Sequence, residues 1–487
     1  MTKSLLLNYI GGEWVEGTSE ISNINPSDLG DVIANHALAD SNQAIQAIDA
    51  AHAALSSWKN TNPQTRFDIL DNIGRIIITR QDELGEILAR EEGKTLAEAK
   101  GEAFRAGQFF QFYAAEALRR TGEQNLSTRP NIDVEIVREP IGVTVLITPW
   151  NFPIAIPAWK IAPALAHGNT VVLKPSEITP ASAYHLTKIM EEAGLPAGVF
   201  NLLVAKGEAV GETLVSHPAV AGISFTGSVP TGRKIAQGAI QHMKKIQMEM
   251  GGKNPMVIME DADLDIAIPV TINGAFYQTG QRCTASSRVI VHEKIYDAFV
   301  ERFVSEMDKL SVGPALDPTT QIGPVVSDTQ LKSNLSYVEI GQLLSCFYPV
   351  KVPDDKKSIN IPDFTSYKLT EYLNILKEKM DYYLDQEIKY NLDVGYCYDY
   401  HYDLIEFISR WCSINDEKTS LIFLNEMKNK KEIFVGDFVK CCIKITNIIR
   451  EMKTICEYFN HYNCLEKLNN LEKYLVKFVV TNDSLYL

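Results

Sequence analysis

From Tyr337 to Leu487 the chain contains no alanine, although the residues before it are rich in alanine. The same boundary divides glycine and tyrosine: three of the 29 glycines (Gly341, Gly395 and Gly436) and 15 of the 20 tyrosines lie beyond it. Lysine, asparagine and isoleucine are dense there as well. Cooperating domains of one protein differ in composition, but rarely this sharply. The expected organisation is therefore two unrelated pieces joined at a seam between about Leu335 and Leu344. No Gly/Ser-rich or Pro-rich linker separates them. A length of 487 residues allows two to four domains in all.

Charge and cysteine usage remove several functional classes. Of the formal net charge of −14, the tail accounts for −4 through 19 Lys+Arg against 23 Asp+Glu, leaving −10 for the first piece. Neither piece has the basic excess that tracking a nucleic-acid backbone requires. No window reaches the ~18 uninterrupted apolar residues of a membrane span. The stretch Met1–Leu7 is too short for a signal peptide. Seven of the eight cysteines lie in the tail, and none is spaced Cys-x-x-Cys. Reduced thiols in a cytoplasmic protein, with no metal site, are the expectation.

The exception is Cys283, in Gly280-Gln281-Arg282-Cys283-Thr284-Ala285-Ser286, the only cysteine of the first 345 residues. Its neighbours are small and polar, where a packed core cysteine would have aliphatic ones. Glu249 precedes it in Glu249-Met250-Gly251-Gly252-Lys253. A thiolate that attacks carbon and a carboxylate that activates water make a coherent pair.

Further upstream, strand and helix signals alternate. Tyr9–Val15 reads as a strand and turn near the surface. Ser41–Ala117 is helical, with Ile45, Ile48, Ala51 and Leu55 on one face. Phe109, Phe110, Phe112 and Tyr113 form an aromatic helix face, in keeping with core packing. The run Ile141–Ile147 is a buried strand ending in Thr148-Pro149-Trp150-Asn151, where an amide can act as a turn former or donate to an oxyanion. Thr170–Leu173 leads into Lys174-Pro175-Ser176-Glu177, which places an ammonium and a carboxylate at a strand edge. Ile223–Arg233 is a strand, a turn with Gly227 and Gly232, and a helix N-terminus suited to a pyrophosphate.

Taken in order and with their separations, these stretches resemble the aldehyde dehydrogenase superfamily from about Asn8 to about Ile340. The wording around Asn151 and Cys283 is similar to the semialdehyde branch. The resemblance implies an α/β fold: a Rossmann-like cofactor domain over 1–250, then an incomplete α/β catalytic lobe over 251–336. The 131–147 strand segment would belong in part to an oligomerisation hairpin. It further implies Cys283 as nucleophile, Glu249 as general base, Asn151 as oxyanion donor and Lys160 in a supporting role. Trp150, Lys174, Ser176, Glu177, Gly227, Ser228 and Gly232 would hold the cofactor, and the aromatic helix would border a substrate tunnel. Glu177 suits the free 2′-hydroxyl of NAD while small Ser176 leaves room for the phosphate of NADP, so both remain open. Arg282 or Arg105 would anchor a substrate carboxylate, or serve as ordinary structural arginines.

Beyond Gln321–Ser327 the resemblance stops. The family's Glu-x-Phe-Gly-Pro stretch, which holds the nicotinamide ribose, is missing, with the rest of the lobe and the last oligomerisation strand. An impaired enzyme without a native-like oligomer is expected, and a half-built parallel sheet exposes apolar faces. The tail has helical spacing almost throughout, as in Leu369, Leu373, Leu376 and Met380, and in Phe438, Cys442, Ile445 and Ile449. This predicts an all-α helical bundle over 337–487. Leu343–Phe347, Asp403–Cys412, Phe434–Lys440 and Ser484–Leu487 resemble the C-terminal helical (DSHCT) domain of exosome-associated DExH-box RNA helicases. That likeness implies contact with RNA or a helicase, without the helicase ATPase motifs. The whole then reads as a chimera in which the first piece carries the dehydrogenase chemistry. The alternatives are a non-enzymatic junction and a helical RNA-processing adaptor with an inert passenger.

Overall fold

A computed structural model describes residues 5–119 and 122–335. The tail expected to form helices lies outside the described residues. Five parallel strands are built in chain order as Val143–Ile147, Thr170–Lys174, Phe200–Leu202, Val220–Gly227 and Lys245–Met250. Across the sheet the first strand lies between the second and the fourth, so the strand order reverses there. Each connection carries a helix: Ala155–Ala166, Pro180–Glu192, Gly207–Ser216 and Val229–Gln241. This is the doubly wound pattern expected of a Rossmann-like domain, with a crevice at the reversal.

Both faces of the sheet are covered, as parallel strands require. On one side Ile161, Leu165, Leu186 and Ile189 pack with Phe110 and Leu70 from the preceding helices. On the other, Ala44, Ala47 and Ile48 meet Val145, Val172 and Ile223. The helix Ser41–Lys59 is thus rotated from the expected face: Ile48 and Ala51 are buried, but Ile45 is exposed and Leu55 only half-buried. Small alanines let the helix approach the sheet closely, and larger apolar side chains sit at the flanks.

The first hairpin, Asn8–Ile10 with Glu13–Val15, is more deeply placed than its sequence suggested. Tyr9 pairs antiparallel with Leu202 at the sheet edge, and Asn8, Tyr9 and Ile10 are all buried. Asn8 closes that edge by accepting from the Val204 N–H at 2.7 Å and donating to the Ala37 carbonyl at 3.1 Å. The 131–147 segment divides in two. Asp133–Val137 pairs antiparallel with Gly122–Leu126 as a separate hairpin, and Val143–Ile147 enters the main sheet.

After Met250 the described residues form one parallel strand pair, Asn254–Ile258 with Ser286–Val291, flanked by the helices Leu264–Phe276 and Tyr296–Met307. Ile258, Ile268, Ile272 and Phe299 make its small core. Val257, Met259, Ile266, Val270 and Ile290 are each at least half exposed. Among the described residues, this two-stranded parallel sheet with open apolar faces is far from the covered arrangement such strands adopt.

One buried histidine generates a test. His36, in the strand Asp28–Leu38, is 1% exposed, and its Nε2 has no partner among the described residues. Desolvation, with a smaller contribution from His185, lowers its pKa to about 3. The neutral form is favoured in the folded state, so this stability is present above the ordinary value near ~6.5 and is lost as pH falls towards the depressed one. Between pH 7 and pH 4.5 the parent should lose about 3 kcal/mol more than His36→Gln in denaturant titrations. Equal acid losses in the two proteins would refute this role for His36.

Candidate active site

Because the five strands run the same way, their C-terminal ends share one edge. Lys174, Ile147, Phe225 and Met248 lie side by side across it, with Glu249 opposite Thr226. Motifs far apart in sequence are thereby collected at the edge where doubly wound folds bind ligands.

On the first flank, Lys174 Nζ holds Glu177 Oε2 at 3.0 Å. Lys174 and Ser176 are buried and Glu177 is partly open. Ser176 Oγ accepts from the Ile178 N–H at 3.2 Å, and the Trp150 carbonyl accepts from Thr179 Oγ1 at 3.3 Å. Across the crevice, Ser228 caps the helix Val229–Gln241, its Oγ 2.8 Å from Thr231 Oγ1. A Cβ on Gly232 would lie 2.6 Å from Met250 Sδ, and one on Gly227 would lie 2.6 Å from the Phe225 ring. Gly232 lets helix and strand approach closely, a role known for one glycine of dinucleotide folds, while Gly227 makes room for the Phe225 ring of its own strand. A carboxylate for ribose hydroxyls and a helix N-terminus for phosphates form a donor set that fits a nicotinamide dinucleotide.

The other flank is a cavity of about 780 Å³ lined by Cys283, Glu249, Lys160, Phe109, Tyr113 and Trp159, among others. Along the aromatic helix, Phe110 is fully buried as expected of a core residue, Phe109 and Tyr113 line the cavity, and Phe112 is exposed. Cys283 is exposed, and its carbonyl accepts from Asn254 Nδ2 at 2.8 Å. Gln247 Nε2 donates to Glu249 Oε1 at 2.7 Å. Lys160 Nζ donates to Ser224 Oγ at 2.6 Å and Gln247 Oε1 at 3.0 Å. Burial lowers the Lys160 pKa to about 8, with Glu249 pulling the other way.

Asn151 Nδ2 donates to the Gln281 carbonyl at 2.9 Å, joining the turn after Val143–Ile147 to the cysteine loop. An amide carries two N–H donors, and this bond uses one of them; Asn151 itself is not among the residues lining the cavity. The residues leading to the cysteine are left-handed, with φ of 54° at Gln278, 58° at Thr279 and 65° at Gly280. At a residue with a Cβ this costs roughly 1–2 kcal/mol. It persists because the Gln278 N–H is held by Glu98 Oε1 at 3.0 Å and Thr279 Oγ1 by the Gly323 carbonyl at 2.8 Å.

A buried network that sequence reading missed supports this loop. Lys94 Nζ pairs with Glu102 Oε2 at 2.7 Å and donates to the Asn151 carbonyl at 2.7 Å. Glu102 Oε1 accepts from the N–H groups of Ile154 and Ala155, both at 3.0 Å. Gln281 donates to Glu92 at 3.3 Å and accepts from the Val326 N–H at 3.0 Å. Burial alone would lower the Lys94 ammonium, but Glu102 and Glu92 hold it above the ordinary lysine value. Burial raises Glu92 to about 7, against the pull of Lys94. The available signal was Glu102 itself, a carboxylate on the helix face of Ala99, Ala103 and Ala106.

Neither arginine lines the cavity. Arg282 turns away to donate to the Asn273 carbonyl, whereas Arg105 lies over the Phe109 ring, 5.3 Å from its centroid, and donates to Gln108. Each adjoins a lining residue, Arg105 over the Phe109 ring and Arg282 next to Cys283 in the chain, but the Arg282 side chain is engaged with Asn273.

A sequence model of the aldehyde dehydrogenase family matches residues 14–345, and the chain belongs to that family. Its chemistry is the NAD(P)-dependent oxidation of an aldehyde. The chain is 43% identical over 337 residues to the alpha-ketoglutarate semialdehyde dehydrogenase of Haloferax volcanii, covering 69% of this chain and 70% of that one. It is 40% identical over 341 residues to the 2-aminomuconic semialdehyde dehydrogenase of Homo sapiens, with 69% and 70% covered. Among solved structures, a betaine aldehyde dehydrogenase from Staphylococcus aureus in complex with NAD+ matches with a TM-score of 0.68 at 35% identity, over 70% of this chain and 68% of that one. An E. coli NADP dependent enzyme matches with a TM-score of 0.67 at 36% identity, over 69% and 70%.

The network predicts a large effect from one substitution. Lys94→Met leaves two buried carboxylates without their cation and should destabilise the protein by about 3–5 kcal/mol. Adding Glu102→Gln should restore part of that loss. Denaturant titrations of both variants provide the measurement, and a Lys94→Met variant within 1 kcal/mol of the parent would be incompatible with a buried ion pair.

Proposed function

We propose that Cys283, Glu249 and Asn151 are the catalytic groups for oxidising a short, carboxylate-bearing semialdehyde. The observation that carries this is that Cys283 and Glu249 face one cavity while the Asn151 amide is bonded to the cysteine loop. The Cys283 thiolate attacks the aldehyde carbon and forms a thiohemiacetal. Its oxyanion takes hydrogen bonds from the second Asn151 N–H and from the Cys283 backbone N–H. A nicotinamide dinucleotide, when bound, would supply the hydride acceptor, and Cys283 would hold the oxidised acyl group as its thioester. Glu249 then takes a proton from water, which hydrolyses the thioester and frees the acid. Lys174 and Glu177 address the adenosine ribose, with Trp150 and Ser176 beside them, and Gly227, Ser228 and Gly232 form the pyrophosphate turn. Arg105, adjacent to a cavity wall, is the better candidate for a substrate carboxylate; Arg282 is occupied by Asn273.

The division into a cofactor domain over 1–250, a partial catalytic lobe over 251–336 and a DSHCT-like helical tail over 337–487 belongs to the same proposal. So does the chimeric origin of the chain, its cytoplasmic location and a contact of the tail with RNA or a helicase. The tail's part rests on its sequence motifs alone. We further propose that turnover is impaired and a native-like oligomer absent, because the Glu-x-Phe-Gly-Pro stretch and the last oligomerisation strand are missing. Misplacement of reacting groups by ~1 Å can cost about a hundredfold.

Two measurements on the full chain test this. Calorimetry should give NAD or NADP binding two to three orders weaker than an intact enzyme, ~1.4 kcal/mol per tenfold. Steady-state assays with short aldehydes and semialdehyde acids should give turnover well below the ~10 per second common among enzymes, abolished by Cys283→Ala. Full turnover would overturn the impairment, and activity that survives Cys283→Ala would overturn the nucleophile.

A further inference from the structure

Lys160 combines burial with an unusual choice of partners. The residue is 6% exposed, yet its side chain lines the cavity that also holds Cys283 and Glu249. Both hydrogen-bond partners of its Nζ, Ser224 Oγ and Gln247 Oε1, are neutral, and no carboxylate joins them among the described residues. Lys94 and Lys174, also buried, are ion-paired at 2.7 and 3.0 Å. An unpaired ammonium is penalised by burial, whereas a neutral amine is not. A neutral amine has two N–H groups, enough for Ser224 and Gln247, and keeps its lone pair.

We infer that Lys160 is a second covalent site for aldehydes, capturing a carbonyl compound in the cavity as a reversible imine. The Nζ lone pair adds to the carbonyl carbon, the C=O π pair moves to oxygen, and a proton passes from nitrogen to that oxygen. Loss of water from this carbinolamine forms the C=N bond. The balance is amine plus aldehyde giving imine plus water, so no oxidant or reductant is consumed. Glu249, on the same cavity wall, is a group able to relay the proton. The lowered pKa agrees: with a value of about 8, about half the amines are neutral at pH 8, against roughly one in three hundred for an ordinary lysine. The imine competes with the Cys283 thiohemiacetal for the same carbonyl and needs no dinucleotide.

The inference rests on the reading of this cavity as the aldehyde site, and the test separates the two. Full-length protein is incubated at pH 7 with butanal or 4-oxobutanoate and cyanoborohydride, without dinucleotide, and the modified lysines are mapped by mass spectrometry. Lys245 is the internal control, exposed but lining the same cavity, and Lys174 is the buried, ion-paired one. Lys160 should be alkylated at least tenfold faster than either, and Lys160→Arg should abolish that peptide's modification while leaving the Lys245 signal unchanged. Protection of Cys283 from iodoacetamide by the aldehyde alone reports occupancy of the cavity. Protection of Cys283 with Lys160 no faster than Lys245 overturns the imine and leaves the aldehyde site standing. No protection and no labelling of Lys160 overturns both. Because the rates are compared within the parent protein, the result does not depend on the folding of the variant.

Discussion

The buried pair of Lys94 and Glu102, 2.7 Å apart, is the interaction on which the catalytic geometry depends. Glu102 satisfies the first N–H groups of the helix Ala155–Ala166, and Lys94 holds the carbonyl of Asn151 just before that helix. One ion pair therefore fixes both the backbone at Asn151 and the helix that carries Lys160. Isolated buried ion pairs are weak sources of stability, because desolvation offsets most of the attraction. This pair also saturates several backbone groups, and its value lies in the single arrangement that satisfies all of them.

The cysteine loop is supported from two sides. In front, Asn151 and Asn254 hold the carbonyls of Gln281 and Cys283. Behind, Gly323 and Val326 bond to Thr279 and Gln281, and Gly323 approaches so closely that a Cβ there would lie 1.8 Å from the Gly93 carbonyl oxygen. These contacts all come from residues up to Val326, and together they hold three consecutive left-handed residues before the nucleophile. The parallel pair on either side of this loop lacks such cover, with Val257 and Ile290 each more than half exposed. Among the described residues, the cysteine loop is thus better braced than the parallel pair beside it.

Lys160 and Lys174 show how one residue type diverges by position. Both are buried at the active edge of one sheet. Lys174 is ion-paired with the Glu177 carboxylate at 3.0 Å. Lys160 donates to a hydroxyl and an amide, and burial favours the neutral amine more than the nearby Glu249 opposes it.

Much of the site was legible in the sequence because its chemistry is local. Cys283 among small polar neighbours, Asn151 after a buried strand and Lys174 followed by Glu177 each announce themselves within a few residues. The alternation of apolar strands with helical spacing likewise determined the doubly wound class, since parallel strands need crossover helices. Periodicity did not reveal the rotation of the helix Ser41–Lys59, because alanine is silent about which face it buries until the sheet is present. Nor did it reveal the depth of the hairpin at Asn8, which follows from pairing with a strand almost 200 residues away. The network of Glu92, Lys94, Glu102 and Gln281 was hidden for the same reason: a charged side chain reads as solvent-facing until a partner distant in sequence arrives to neutralise it. The sequence by itself thus determined which reactive groups the protein carries and which class of sheet presents them. Only the tertiary structure decided which charges are buried together, because desolvation and pairing depend on what the fold brings within a few ångströms.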